Sequence, residues 1–411
     1  MKILLIHQYF LRKNEGGASR FNEMTKIWAE EGHEVKVISG MMHANGTSKH
    51  KEYKGRLFKK EEYSKNIKVL RCHVSEAYNV NFSGRLWAYF SFVFSSTLGF
   101  FLKLNGKYDL VLVSSPPLFI GITGLIISKL KRIPLVFEVR DLWPESAIDI
   151  GVLTNGFLKK IAFEFEKLIY KNSTLINVLT PAFKEVLINQ KSISASKILE
   201  ISNGVDFIIS DKILEKVERD KLRKALGWGN RFVLIYVGAH GLANNLNQVI
   251  EVAHLVKNTN ALFILIGDGM EKKNLKAKAK SLNNIEFWDP IEKEKIFEFI
   301  ICADAGITVF KKAEIFKTIY ANKTFDYMGC QIPVLMVLDG ISKVLIESSK
   351  SGLYVEPDNK QDFAEKINWL IAHPKEVREM GLNGYQFAKK NFDRCELAKA
   401  YLEKLKTLKK T

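Results

Sequence analysis

Strand-length apolar runs and amphipathic helical stretches alternate along this chain, and they do so twice. In the first half, apolar runs at residues 3–6, 35–39, 67–72, 110–114, 134–139 and 174–179 are separated by helix-period stretches such as 19–31 and 157–171. That alternation predicts a parallel sheet with helices on both faces. The pattern lapses across residues 210–223, a polar run of mixed charge. It resumes with runs at 231–238, 261–267, 285–288, 305–310, 333–337 and 352–355, with helical stretches at 245–257, 271–281 and 362–372 between them. The expected class is α/β, two Rossmann-like doubly wound domains in tandem: residues 1–205, a linker at 206–230, and residues 231–385. Residues 386–411 read as a terminal helix, basic toward its end and followed by no strand. That helix is expected to cross back to the first domain.

Size and charge fit this division. A chain of 411 residues, 47% hydrophobic and 26% charged, is long enough for two cores. The net charge of +17 points to polyanionic partners, such as nucleotides, nucleic acid or an anionic membrane face. Cys72, Cys302, Cys330 and Cys395 form no C-x-x-C pair, which argues against a disulfide framework or a zinc site and suits a reducing compartment. The opening apolar run, residues 3–6, is too short for a signal-peptide core and reads as a strand.

Two stretches bear on membranes. Residues 86–102, with Trp87, Phe90, Phe94 and Phe101, carry no charge and reach about the minimum length for a bilayer span. A core strand follows at once, and a crossing would put it on the far side from the chain before it. The preferred reading is a helix that packs in its domain and dips an outer face into the lipid interface. A plain core helix is the competing reading. The lysine-dense stretch 49–68 is read either as a solvated loop or as a contact for lipid phosphates.

In open parallel sheets ligands sit beyond the carboxyl ends of the strands, and the unusual residues of this chain fall there. After the first strand comes Glu15-Gly16-Gly17, where paired glycines either make a tight turn or let backbone N–H groups approach a phosphate. After the fifth comes Arg140-Asp141-Leu142-Trp143-Pro144-Glu145. Its charges can form an internal ion pair, or they can orient an acceptor and stabilise developing charge. The second half opens with Gly238-Ala239-His240-Gly241, in which His240 is a candidate donor to a phosphate, followed one strand later by Gly267-Asp268-Gly269. Asn322-Lys323-Thr324-Phe325-Asp326-Tyr327-Met328-Gly329 reads as a short helix before a buried strand. Its N-terminus can take an anion, and Asp326 lies one turn further in, placed for a pair of ribose hydroxyls. The plain alternative is that Asp326 complements the helix dipole and Lys323 is solvated. Arg20, Lys311 and Lys317 are further cationic candidates. There is no D-x-D, no G-x-x-x-x-G-K-[ST] and no G-x-S-x-G, so those metal-diphosphate, P-loop and hydrolase signatures are missing.

Taken together, these motifs resemble a family-4 glycosyltransferase of the GT-B fold, two Rossmann-like domains facing across a cleft. The likeness runs over essentially the whole chain and includes Gly32-His33-Glu34-Val35 and Asn203-Gly204-Val205-Asp206. The Arg-Asp-Leu-Trp-Pro-Glu and Asn-Lys-x-Phe-Asp-Tyr-Met pieces resemble the branch that includes L-fucosamine (N-acetyl-L-fucosaminyl) transferases of bacterial O-antigen and capsule assembly. The resemblance implies a UDP-sugar donor in the second domain, an acceptor in the first, retention of configuration, and no metal or other cofactor. It implies that Asp326 binds the ribose, Asn322 and Lys323 meet the diphosphate, and Gly16 and Gly17 close on the phosphate or the sugar. The loops at Gly238, His240, Gly241, Gly267, Asp268 and Gly269 would complete the donor site. Arg140 and Asp141 would stand near the donor sugar, with Trp143 and Glu145 toward the acceptor. The sequence departs from the family pattern in two places. Thr318 stands where the first acid of a Glu-x7-Glu pair is usual, and the usual Arg and Lys after the first strand of the second domain are replaced by His240 and Asn244.

The expected function is transfer of a sugar, an N-acetylated deoxyhexosamine, from a UDP donor to an undecaprenyl-diphosphate-linked acceptor at the inner face of the plasma membrane. Nucleic acid is not an expected partner, since no recognised motif for it occurs. The alternatives are a UDP-sugar 2-epimerase of the same fold, which has no need of lipid, and a non-catalytic basic module.

Overall fold

In the computed structural model the chain divides into two compact units, Met1–Ser202 with Cys395–Thr411, and Asn203–Arg394. The structure describes every residue except 14, 16–19, 44–47, 80–81, 150, 152 and 409–411.

The first unit is built on an eight-stranded sheet: β1 (Lys2–Ile6), β2 (Glu34–Gly40), β3 (Phe58–Ser64), β4 (Ile67–Cys72), β5 (Leu110–Ser114), β6 (Leu135–Val139), β7 (Leu175–Val178) and β8 (Ile198–Glu200). Their order is β3-β4-β2-β1-β5-β6-β7-β8, so the winding reverses between β1 and β5. Every pairing is parallel except β3 with β4. The central strands are buried on both faces, which is why they read as continuous apolar runs.

Three expectations are corrected here. The 49–68 stretch is not a loop throughout: it contains β3, an edge strand whose charged residues alternate across the pleat. Lys59 pairs with Glu52 at 2.6 Å, so part of the apparent basic surface is neutralised within the stretch, while Glu61 reaches out of it to the buried Arg71 at 2.9 Å. A charged edge also discourages pairing with another chain. Residues 206–230 are not a free linker. They form the helices Phe207–Lys216 and Arg219–Ala225, and Arg223 binds Asp304 at 3.0 Å inside the second unit. Third, the return to the first unit begins at Cys395, within the helix Arg394–Thr407, because the helix before it, Pro374–Asn391, belongs to the second unit. The Trp28 indole N–H donates to the Ala398 carbonyl at 2.8 Å, and Tyr401, Leu402 and Leu405 are buried in the first core.

The aromatic stretch forms the helix Phe82–Gly99, which continues as a π-helical turn at Phe100–Leu104. Among the described residues, Ser83–Leu104 is the one helix long and apolar enough to cross a bilayer, and 44% of that window is buried against the protein. Its hydroxyls bond inward: Ser91 to the Ser75 N–H at 2.8 Å, Ser95 to the His73 carbonyl at 2.6 Å, and Ser96 with Thr123 at 2.9 Å. Trp87 and Phe94 point outward, 63% and 68% exposed, with Phe90 between them at 42%. Phe101 is half-buried, edge-on to Phe100. Across the π turn it is Leu102 that faces out.

The second unit carries a six-stranded, all-parallel sheet: β9 (Phe232–Val237), β10 (Ala261–Ile266), β11 (Ile285–Trp288), β12 (Ala305–Val309), β13 (Val334–Val337) and β14 (Gly352–Tyr354). Its order, β11-β10-β9-β12-β13-β14, places the reversal between β9 and β12.

At the centre of the first unit lies a buried ion pair. Arg20 Nε meets Glu138 Oε1 at 3.1 Å, and its Nη2 donates to the Ile201 carbonyl at 2.8 Å. Asn177 donates to Glu138 Oε2 at 3.1 Å and accepts from the Ile201 N–H at 2.9 Å. Arg20, a cationic candidate from the sequence, is thus held by the core. Removing one partner strands the other charge in the interior. Arg20→Met is expected to destabilise the first unit by about 3–5 kcal/mol in urea unfolding, and the double variant Arg20→Met/Glu138→Leu by less than that.

Candidate active site

The site in the second unit is built where the sheet reverses, between β9 and β12. The two strands pair only at Ala305–Leu234 and Gly306–Ile235, then part. Tyr327 fills the gap. Its hydroxyl accepts from the Val237 N–H at 3.0 Å and donates to the Ile307 carbonyl at 3.2 Å. The ring lies so close to β12 that a Cβ at Gly306 would come within 2.3 Å of it. Tyr327 therefore pins the helix Asn322–Gly329 against the strand ends, and this sets where Lys323 and Asp326 stand.

Lys323 lies in the first turn of that helix. Its Nζ sits 4.4 Å over the Tyr236 ring, 5.1 Å from the Phe310 ring and 3.4 Å from the Tyr236 hydroxyl. Its Cε would be 3.1 Å from a Cβ at Gly238, so the amine lies directly on the loop that follows β9. Burial pulls its pKa down to about 7, and the Asp326 carboxylate pulls the other way. Asn322 is exposed beside it, and no side chain caps the helix. The result is an open helix N-terminus, a lysine over a glycine loop, and a half-buried carboxylate one turn on. That set of groups can receive a diphosphate. Tyr236 and Phe310, which hold the lysine, were missed by sequence reasoning. Both end or follow strands with the burial pattern of ordinary core.

The remaining loops are stacked on one another. A Cβ at Gly267 would fall 1.9 Å from the Gly238 carbonyl oxygen, so only glycine allows the loops after β9 and β10 to touch. Gly269 lies against the His240 backbone, whose N–H donates to the Asp268 carbonyl at 2.8 Å. The Asp268 carboxylate accepts from the Gly269 N–H at 2.8 Å and so serves its own turn. Gly241 leads into the short turn Leu242–Asn244. His240 is not presented as a phosphate donor: its ring is fully buried near Tyr236 and Phe287. Burial lowers its pKa to about 4, with Lys272 adding to the effect, so it is neutral at neutral pH. Lys272, one more lysine among many in the sequence, donates to the carbonyls of Gly267 and Trp288 and to Asp289. Lys317 is engaged by Glu314 at 2.7 Å.

In the first unit, the loop after β6 divides its charges. The Asp141 carboxyl accepts from the Ser146 hydroxyl at 2.8 Å; burial raises its pKa, and the Glu145 carboxylate adds to the rise. Glu145, expected toward an acceptor, is bound by Lys191 at 2.5 Å, and the same ammonium binds Glu166 at 2.5 Å. Burial raises Glu166 to about 7. Arg140 lies close enough to His7 to help hold that buried imidazole neutral, after burial itself. Trp143 packs edge-on against Phe119. Gly16 and Gly17 lie outside the described residues.

Among the described residues, Glu15, His43 and His50 are the one group whose ligand atoms lie within 4.8 Å of one another. The Arg12 guanidinium donates to His50 Nδ1 at 3.0 Å, which makes Nε2 the protonated nitrogen of the neutral ring and turns it toward Glu15, 3.3 Å away. A cation would have to displace Arg12, so the cluster is a hydrogen-bonded group rather than a ready metal site.

The depressed pKa of Lys323 has a thermodynamic signature. Between about 7 and 10.5 the unfolded chain holds this proton and the folded chain does not. Stability therefore rises with pH across that window, and the full penalty applies below it. Unfolding of the second unit is expected to show this slope between pH 7 and 9, and Lys323→Met is expected to remove it. An unchanged slope in the variant would assign the titration to another group.

Comparison with known proteins agrees with this architecture. Residues 15–204 match the glycosyl transferase 4-like domain, and residues 218–387 match the glycosyl transferases group 1 domain. The chain is 22% identical over 318 residues, 76% of its length and 77% of the other, to a protein of Escherichia coli (strain K12) assigned to colanic acid biosynthesis as glycosyl transferase WcaI. Its fold is similar to Anabaena Alr3699/HepE, solved in complex with UDP (TM-score 0.69, 18% identity, 99% and 100% of the two chains). It is also similar to WaaG, a glycosyltransferase involved in lipopolysaccharide biosynthesis (TM-score 0.67, 15% identity, 98% and 99%). With a glycosyl transferase 4-like domain followed by a group 1 domain on two Rossmann-like units, the chain is a GT-B glycosyltransferase.

Proposed function

We propose that this enzyme moves a sugar from a UDP-sugar to a lipid-linked glycan in surface polysaccharide assembly, with retention of configuration and without a metal. The observation that carries the donor assignment is Lys323, its ammonium set over Gly238 at the first turn of an uncapped helix. As the glycosidic bond breaks, negative charge grows on the leaving diphosphate. Helix N–H groups and a preset ammonium stabilise that charge more than they stabilise the ground state. Asp326 is assigned the ribose hydroxyls. Arg140 and Asp141 are the proposed catalytic groups beside the donor sugar, and the raised pKa of Asp141 suits a carboxyl that exchanges a proton with a hydroxyl. HepE was solved with UDP, and WcaI and WaaG carry names from colanic acid and lipopolysaccharide biosynthesis, which supports the same classes of donor and product here. The Arg-Asp-Leu-Trp-Pro-Glu motif supports an N-acetylated deoxyhexosamine, of the fucosamine type, as the sugar, and O-antigen or capsule as the product. The acceptor would carry undecaprenyl diphosphate, and the exposed row Trp87, Phe90 and Phe94 would rest on the anionic inner face of the plasma membrane.

UDP release from a panel of UDP-sugars, with and without a polyprenyl-diphosphate-linked acceptor, tests the reaction. Acceptor-dependent release is expected; turnover to an epimer without acceptor would make the enzyme an epimerase. Lys323→Ala is expected to lower kcat by about 10²–10³-fold, the effect of removing one preset donor to developing charge. Near wild-type turnover in that variant would move the charge-stabilising role elsewhere. For the membrane, Trp87→Glu/Phe94→Glu is expected to abolish co-sedimentation with anionic vesicles, whereas equal sedimentation of variant and wild type would remove this face from the membrane.

A further inference from the structure

The outward row of the helix Phe82–Gly99 does not end at the protein surface. The Phe90 ring lies 5.0 Å from Phe119, and the Tyr89 ring 6.0 Å from it. Phe119 stacks on Phe165 of the helix Gly156–Asn172 at 5.5 Å, and meets Trp143 edge-on at 5.2 Å. Phe119 itself is half-buried, in the loop after β5 beside the sheet reversal of the first unit. A continuous line of rings thus runs from Trp143, two residues past Asp141, out to the exposed stripe of the helix Phe82–Gly99.

Charge sits at both ends of this line. At the inner end Arg140 lies in the same loop as Trp143, with Asp141 held by Ser146 and Glu145 held by Lys191. The middle is aromatic, and the serine hydroxyls of the helix Phe82–Gly99 at Ser91, Ser95 and Ser96 are bonded inward. Near the outer end the helix Gly156–Asn172 adds the exposed Phe157, Ile161 and Leu168, among four lysines, Lys159, Lys160, Lys167 and Lys171, and one exposed acid, Glu164. A ligand with an anionic group, then a long unsaturated hydrocarbon, then an anionic bilayer around it matches that order. A free sugar acceptor would leave the aromatic line without a role.

We propose that Phe119, with Trp143, Phe90 and Phe165 around it, seats the first isoprene units of a polyprenyl-linked acceptor, so that the enzyme reads the lipid as well as the glycan. This rests on the reading of the acceptor as lipid-linked. Isoprene double bonds and methyl groups pack against aromatic faces, and one well-packed aromatic contact is worth about a tenfold change in affinity.

The test uses one glycan on a long polyprenyl diphosphate, on a farnesyl diphosphate and on a short water-soluble aglycone, all in detergent micelles so that recruitment to a bilayer plays no part. Wild-type KM is expected to fall as the lipid lengthens. Phe119→Ser is expected to raise KM for the polyprenyl acceptor about tenfold, with kcat, the KM for the short acceptor and UDP affinity unchanged. Phe119→Leu should keep most of the chain-length preference and serves as the folding control. Loss of discrimination in neither variant, or an equal rise in KM for all three acceptors, would overturn the proposal. So would a Phe119→Ser enzyme that loses only vesicle binding, since the surface would then be a membrane anchor. If wild-type enzyme uses the short acceptor as well as the long one, the lipid seat fails while glycosyl transfer stands. If it uses none of the three yet binds UDP, the lipid-linked reading itself fails and takes the seat with it.

Discussion

The second unit of this enzyme depends on one side chain placed between two strands. Tyr327 bridges the Val237 N–H and the Ile307 carbonyl where β9 and β12 separate, and Gly306 leaves the room its ring needs. The backbone groups there would otherwise be buried without partners, at a cost of about 1–3 kcal/mol each. The same contact fixes the rotation of the helix Asn322–Gly329. Lys323 then falls over Gly238, and Asp326 falls one turn behind it. The lysine is held by rings rather than by an ion pair, so no carboxylate has to be displaced when a diphosphate arrives. An amine clamped in an ion pair would have to break that pair first.

The first unit handles charge in the opposite way. Arg20 and Glu138 are locked to each other and to backbone carbonyls, and Lys191 is shared between Glu145 and Glu166. These pairs organise the strand ends and leave Arg140 and Asp141 as the charged residues of the Arg-Asp-Leu-Trp-Pro-Glu motif with a proposed chemical role. On the outer side of the same unit, the helix Phe82–Gly99 keeps its hydroxyls inward and its rings outward. The unit therefore has a polar strand-end face and an aromatic outer face, joined through Phe119.

The apolar runs of the central strands were legible because both faces of a parallel sheet are buried, and twelve-strand alternation of that kind has few other solutions. The strand β3 was not legible, since an edge strand carrying Lys59, Lys60, Glu61 and Glu62 has the composition of a solvated loop. The helices at 207–225 were hidden by mixed charge; what orders them is the reach of Arg219 and Arg223 to Asp304, about eighty residues away in sequence. The site followed the same division. Lys323 could be placed at a helix start from local sequence, but the burial that lowers its pKa, between the rings of Tyr236 and Phe310, arrives through the fold. His240 looked like an exposed loop histidine between glycines, but Gly267 and Gly269, one strand later, let the neighbouring loop close over it. Glu145 looked available for an acceptor because its partner, Lys191, lies 46 residues on, in the turn after the helix Pro181–Asn189.

The central claim is that Lys323 meets the donor diphosphate, and proton counting tests it most directly. With a pKa of about 7 the amine is mostly neutral at pH 8, and a bound diphosphate would restore its proton. Titration calorimetry of UDP at pH 8 in two buffers of different ionisation enthalpy gives the protons taken up per nucleotide. The account predicts an uptake of about one proton in the wild-type enzyme and none in Lys323→Met, with weaker binding in the variant. Tight UDP binding by the wild type with no proton uptake, or the same uptake in Lys323→Met, would contradict it.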